Sequence, residues 1–181
     1  MQRHRFVFAG SGGQGVVTAA IIFAEAAAVY EDLNAVQTQS YGPAARGGLT
    51  RAEIIISDAP IDFPRVTQPN TLVCLAQEAY NEYYRIIRPG GLLLMDSHCV
   101  VSMQKAEARQ VSLPLFSELS RELGSAAALN ICMLGAMQEL TGLVKSESII
   151  NALSSRFSGE KLSLNEKALE IGRKLALGFQ L

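Results

Sequence analysis

The sequence predicts an α/β fold in three layers: a mostly parallel sheet with flanking helices and a helical C-terminal part. Two observations carry this expectation. Short apolar runs alternate with helix-period stretches as far as residue 96, and glycine or proline marks the junctions. Beyond Pro114 only helical spacing recurs. A strand, a helix and a second strand at the start suggest a β-α-β unit, which makes the sheet Rossmann-like.

The elements follow in order. Arg5–Ala9 is a short buried strand ended by glycines. From Gly15 to Tyr30 a helix is expected, because Val16, Val17, Ala20, Ile21, Ala24, Ala27 and Ala28 recur at helical spacing. Its alanines leave little bulk, so it can lie close to a sheet. Asn34–Gln39 is the second strand, and Leu49–Asp58, rich in β-branched residues, is the third. This third strand is the candidate to run antiparallel, since only a short loop precedes it. "APIDFPRVTQPN" holds three prolines and forms a rigid, irregular connection. Thr71–Ala76 is a strand, Gln77–Arg88 a helix stopped by "PGG", and Leu92–Asp96 a strand. Ala106–Val111 is a further candidate strand. Helices are expected at Pro114–Leu123, closed by Gly124, then at Ala126–Leu140, Glu147–Phe157 and Asn165–Phe179. With no linker or internal repeat, residues 1–181 are expected to form one domain.

Composition excludes several classes. Net charge is −1, so no overall field draws the chain to nucleic acid or to a membrane. No apolar run is long enough to span a bilayer, and no signal peptide follows the basic N-terminus. Mean hydropathy is +0.18, as suits either a large core or a surface buried against a partner. Cys74, Cys99 and Cys132 lie far apart, which argues against a disulfide framework and against a zinc or iron–sulfur site. They read as reduced thiols of a cytoplasmic protein, with Cys74 and Cys132 as core filler.

Two segments carry chemistry. Gly10, Gly12 and Gly15 in "FAGSGGQGVVTAA" fit G-x-G-x-x-G between a strand and a helix. In such a loop Gly10 permits the turn, Gly12 admits a ligand to the backbone, and Gly15 lets helix pack on strand. Free N–H groups at the helix start favour an anion. The second strand ends Gln37-Thr38-Gln39-Ser40, with no carboxylate for a ribose, so NAD and FAD are disfavoured. There is no Walker lysine. A packing corner, a seat for another phosphate-bearing ligand and a surface for a partner's loop all remain open. Ser11, Gly13 and Gln14 complete the corner, and the Gln14 amide is placed to bond whatever lies above it.

The second segment is "QTQSYGPAARGGLTRAE", Gln37 to Glu53. It follows a strand at the end of the sheet where ligands sit in open α/β folds. Gln39, Ser40 and Tyr41 supply amide and hydroxyl groups. Arg46 is a long cation among small residues, suited to a phosphate or carboxylate, or simply solvated. Arg51 and Glu53 alternate on the next strand and read as its solvent face. His98, beside Asp96 and Ser97, reads as a turn histidine rather than a catalytic one, so no catalytic residue is assigned.

Together, "GSGGQGV", "QTQSYGPAARGG" and "AEIIISDAPIDFP" resemble the gamma subunit of 2-oxoacid:ferredoxin oxidoreductases, most of all the 2-oxoglutarate type. The resemblance runs through "QEAY", "PGG" and "NICMLGAM" and so covers nearly the whole chain. Pyruvate and branched-chain (ketoisovalerate) relatives share the glycine loop. The resemblance implies a multi-subunit enzyme that oxidatively decarboxylates a 2-oxoacid onto coenzyme A and passes electrons to ferredoxin. It places thiamine diphosphate, magnesium and iron–sulfur clusters on alpha, beta and delta-type partners, none of them held by residues of this chain, which would be inactive alone. It further implies that coenzyme A, or a subunit interface, meets Gly10–Gly15, Gln39, Ser40, Tyr41 and Arg46. The competing expectation is a free-standing nucleotide-binding or regulatory module.

Overall fold

The computed structural model describes residues 3–41, 48–103 and 106–179. Among these, six strands form one sheet: β1 (Arg3–Ser11), β2 (Asn34–Tyr41), β3 (Leu49–Ser57), β4 (Thr71–Cys74), β5 (Leu92–Asp96) and β6 (Arg109–Leu113). Their order across the sheet is β2-β3-β1-β4-β5-β6. β1, β4, β5 and β6 are parallel, whereas β3 runs antiparallel to both β1 and β2. The expected β-α-β start is therefore opened up. β1 and β2 point the same way, but β3 folds back between them.

Six α-helices among the described residues accompany the sheet: α1 (Val16–Tyr30), α2 (Gln77–Tyr83), α3 (Leu115–Leu123), α4 (Leu129–Thr141), α5 (Ser146–Ser154) and α6 (Gly159–Leu177). α2 stops earlier than expected and continues as a 3₁₀ turn, Tyr84–Ile86. Ile87 then turns extended, two residues ahead of Pro89; the proline ring bars helix from the residue directly before it. β6 begins later than expected, and α6 begins earlier.

The two faces of the sheet are covered unequally. One face carries a large apolar cluster in which Phe6, Phe8, Ile54 and Ile56 meet α1, α4 and α5. Phe6 and Phe23 pack edge to face at 5.1 Å, an arrangement aromatic rings favour. The other face carries a smaller cluster, with Val7, Ile55, Leu72 and Leu93 under Tyr80 and Ala79 of α2 and under Val66 of the proline-rich connection. That connection, residues 58–70, takes the place of a helix beside α2.

α4 and α6 touch backbone to backbone. A Cβ on Gly135 would overlap the Leu169 carbonyl, and one on Gly172 would overlap the Cys132 carbonyl. Cys74 and Cys132 are fully buried, as expected. Burial pushes the Cys132 thiol up to about 12 and the Cys74 thiol still higher. No described helix is long and apolar enough to cross a membrane.

Candidate functional site

β1 ends at Ser11 and α1 begins at Val16, so residues 12–15 make the corner. Gly13 (φ 94°) and Gly15 (φ 73°) occupy the left-handed region, where a side chain is strained. Gly10 has a different reason from the one its spacing suggests. It lies inside β1 opposite Thr50, not in the turn. A Cβ there would stand 2.5 Å from Gln14 Oε1 and 3.1 Å from Val16 Cγ1. Gly15 likewise makes room for α4 rather than for a strand: its Cβ would stand 2.6 Å from Asn130 Nδ2.

Polar side chains of the chain itself hold the corner. The Ser11 N–H donates to Gln14 Oε1 at 2.7 Å, and Gln14 Nε2 donates to the Leu75 carbonyl beyond β4 at 2.8 Å. The amide expected to face a ligand is thus engaged as a brace between two strand ends. Asn130 Nδ2 donates to the Gly15 carbonyl at 3.1 Å. The sequence reading missed Asn130, although an asparagine at the start of an otherwise apolar helix was the available signal. The corner still opens outward. Gly12 and Gly13 are exposed, and a Cβ on Gly13 would meet nothing within 4 Å. Gly15 caps α1 without a side-chain hydrogen bond, and no acidic residue occupies the first turn. The first N–H groups of the helix therefore present partial positive charge at the mouth.

β3 brings the second segment to the same place. Ser11 pairs with Leu49, and the Gly12 N–H donates to the Gly48 carbonyl at 2.9 Å. β2 forms the rim, with Gln39 opposite Ala52, Ser40 opposite Arg51 and Tyr41 opposite Thr50. Gln39 and Ser40 are exposed and lie on opposite faces of the sheet. Arg46 lies outside the described residues. The ends of both expected segments thus meet at one end of the sheet.

Arg51 and Glu53 are not the solvent face that alternation suggests. They pair at 2.6 Å with side chains only 17% exposed. Glu53 Oε2 accepts the Val66 N–H at 2.9 Å, and Arg51 donates to the Val66 carbonyl at 3.1 Å. The guanidinium also lies over the Tyr83 ring at 5.0 Å, and burial raises the Tyr83 phenol. The pair latches the proline-rich connection to β3 and, with Ser40, Arg65 and Thr67, lines a cleft of about 350 Å³.

His98 and Asp96 do not form a side-chain dyad. Asp96 is buried and accepts the His98 N–H at 2.8 Å and the Phe116 N–H at 2.9 Å. The carboxylate caps the start of α3, while the exposed imidazole stacks on Phe116 at 4.5 Å. Burial holds the Asp96 carboxyl above the usual range despite those donors. Among the described residues no three His, Cys, Asp or Glu side chains gather as metal ligands.

A family model described as pyruvate ferredoxin/flavodoxin oxidoreductase matches residues 5–175. The chain belongs to this family. It is 39% identical over 179 residues to the 2-oxoglutarate synthase subunit KorC of Methanocaldococcus jannaschii, covering 96% of each chain. The gamma subunit of a keto/oxoacid ferredoxin oxidoreductase from Geobacter sulfurreducens PCA matches it with a TM-score of 0.90 and 39% identity over 98% of each chain. The oxidoreductase-family chain described here is of that gamma-subunit type. The same fold, at 22% identity and a TM-score of 0.89, makes up 32% of a chain of the Magnetococcus marinus 2-oxoglutarate:ferredoxin oxidoreductase, a structure with 2-oxoglutarate, coenzyme A and succinyl-CoA bound.

Proposed function

We propose that this gamma subunit acts as one domain within a cytoplasmic 2-oxoacid:ferredoxin oxidoreductase that converts 2-oxoglutarate to succinyl-CoA, and that its own task is assembly and coenzyme A handling. Thiamine diphosphate, magnesium and iron–sulfur clusters belong on alpha, beta and delta-type partners, where they supply the decarboxylation and electron transfer to ferredoxin. What this chain offers is an anion seat. Its carrying observation is the exposed Gly12–Gly13 backbone in front of the uncapped start of α1.

Coenzyme A bears a pyrophosphate and a further phosphate and needs no ribose-binding carboxylate, in keeping with the β2 end Gln39-Ser40-Tyr41. In this reading the corner Gly10–Gly15 seats phosphate through the N–H groups of Gly13 and Gly15 and of the first turn of α1, which make no bond among the described residues, while the Ser11, Gly12 and Gln14 N–H groups, bonded to Gln14 Oε1, the Gly48 carbonyl and the Ser11 carbonyl, keep the corner in shape. Gln39, Ser40 and Tyr41 border the ligand, and Arg46 supplies the neutralising guanidinium. No residue of the chain takes part in bond making, so the chain is inactive alone.

The test uses the assembled complex carrying Arg46→Ala or Gly12→Val. Coenzyme A handling predicts a KM for coenzyme A raised about ten-fold or more by loss of one charge-assisted contact, with assembly intact. Loss of co-purification with an unchanged KM in the surviving complex would reassign the segment to pure subunit contact. Unchanged affinity together with unchanged assembly refutes both roles.

A further inference from the structure

The end of the sheet opposite the glycine corner carries a second, unassigned feature. β1, β4 and β5 all start there, and beside them lies a cleft of about 610 Å³ lined by Arg5, Phe63, Arg65, Thr67, Gln68, Arg88 and Pro89. Among the described residues no carboxylate lines it. None of the three guanidiniums has an ion-pair partner among the described residues. On the same face Arg51, by contrast, is neutralised by Glu53. Three unpaired arginines around one concavity therefore stand out in a chain whose net charge is −1. The Arg88 charge is felt beyond the cleft: the His4 imidazole is held below its ordinary range by burial and then by Arg88.

Resting on the gamma-subunit reading, we infer that this cleft is the docking surface for an acidic segment of a partner subunit. Charge complementarity selects the occupant. The composition favours a polypeptide over a small anion. The cations are all arginine, and Phe63 stands 65% exposed at the edge. Arginine with an exposed aromatic ring is the pairing enriched at protein–protein contacts. Arg65 and Arg88 are exposed, and the cleft is open, whereas small-molecule sites enclose most of their ligand. The position argues the same way, because ligands of open α/β sheets gather at the other end of the strands.

The experiment co-expresses the chain with the other subunits of its oxidoreductase, with Phe63→p-benzoylphenylalanine for photo-crosslinking and, separately, with Arg65→Glu plus Arg88→Glu. Lys161→Glu plus Lys167→Glu, both exposed on α6, is the charge-matched control. The expected crosslink joins residue 63 to an Asp/Glu-rich segment of a partner subunit. The double reversal should lower the sodium chloride concentration that strips the chain from the complex about two-fold or more, while the control does not. A chain that elutes alone in its natural sequence overturns the gamma-subunit reading, and this inference with it. Co-elution with no crosslink at residue 63, with a crosslink to a non-acidic segment, or with unchanged salt tolerance overturns the docking surface alone. Displacement of the crosslink by millimolar pyrophosphate without any effect on assembly would instead make the cleft a small-anion site, and that too overturns it.

Discussion

At the scale of single residues, one sequence pattern conceals three different demands. Gly13 answers to conformation, Gly10 to the Gln14 amide pressed against it, and Gly15 to both its left-handed backbone and Asn130. Gly15→Ala should therefore destabilise the chain by about 2 kcal/mol, summing a φ penalty and a forced shift of Asn130. Gly13→Ala meets open space and should cost only the φ term, about 1 kcal/mol. Urea midpoints of the two variants check the order; a reversal would mean that Asn130 moves aside freely. Gln14→Ala leaves the half-buried Ser11 N–H at the end of β1 without its acceptor and should cost about 1–2 kcal/mol by the same measurement. The pattern itself was legible because glycine spacing is a local property. The roles of Gln14 and Asn130 were not, because their partners, Leu75 and Gly15, lie 61 and 115 residues away in the chain.

Among elements, strands were easier to read than faces. The expected buried face of α1 included Ala28, which is exposed, and omitted Ala19, Ile22, Phe23 and Ala26, which are buried. An almost uniformly apolar helix has no polar stripe to fix its rotation. Sheet and α5 together decide it. The position of β3 between β1 and β2 was equally out of reach, since strand order depends on non-local pairing. Two contacts between elements give measurable consequences. Gly172→Ala should push α6 off α4 and cost about 3 kcal/mol or more, visible as a lowered Tm. Glu31, at the end of α1, accepts the Ser148 hydroxyl at 2.6 Å and the Lys145 N–H at 2.8 Å, which ties down the start of α5. Desolvation works against this carboxylate, but those donors and the Lys145 charge hold its pKa below the ordinary 4.5. A depressed carboxyl stabilises the fold above its unfolded pKa and loses that contribution as pH falls through its folded value. Glu31→Gln should thus cost about 1 kcal/mol at pH 7, and the gap to the natural chain should close as pH falls below the ordinary 4.5 through the lowered folded value. A gap independent of pH would show that the carboxylate charge contributes nothing.

Across the whole molecule, thiol chemistry reports how burial is distributed. Cys74 and Cys132 are sealed in the two cores, while Cys99 is only half-buried near the end of β5. An alkylating reagent at pH 8 should modify Cys99 alone in the native chain and reach the other two only after unfolding. Native labelling of Cys132 would contradict the tight α4–α6 seam. The lopsided layering has a last consequence. One side of the sheet is clad by several long helices, the other by short α2 and a proline-rich strap pinned by Val66, Glu53 and Arg51. Opening of the native state should begin on that thin side, so a brief trypsin pulse should nick after Arg65 long before it severs α4 or α6. Because Phe63 and Arg65 belong to the same strap, a partner seated there would shield the segment of the chain that proteases reach first.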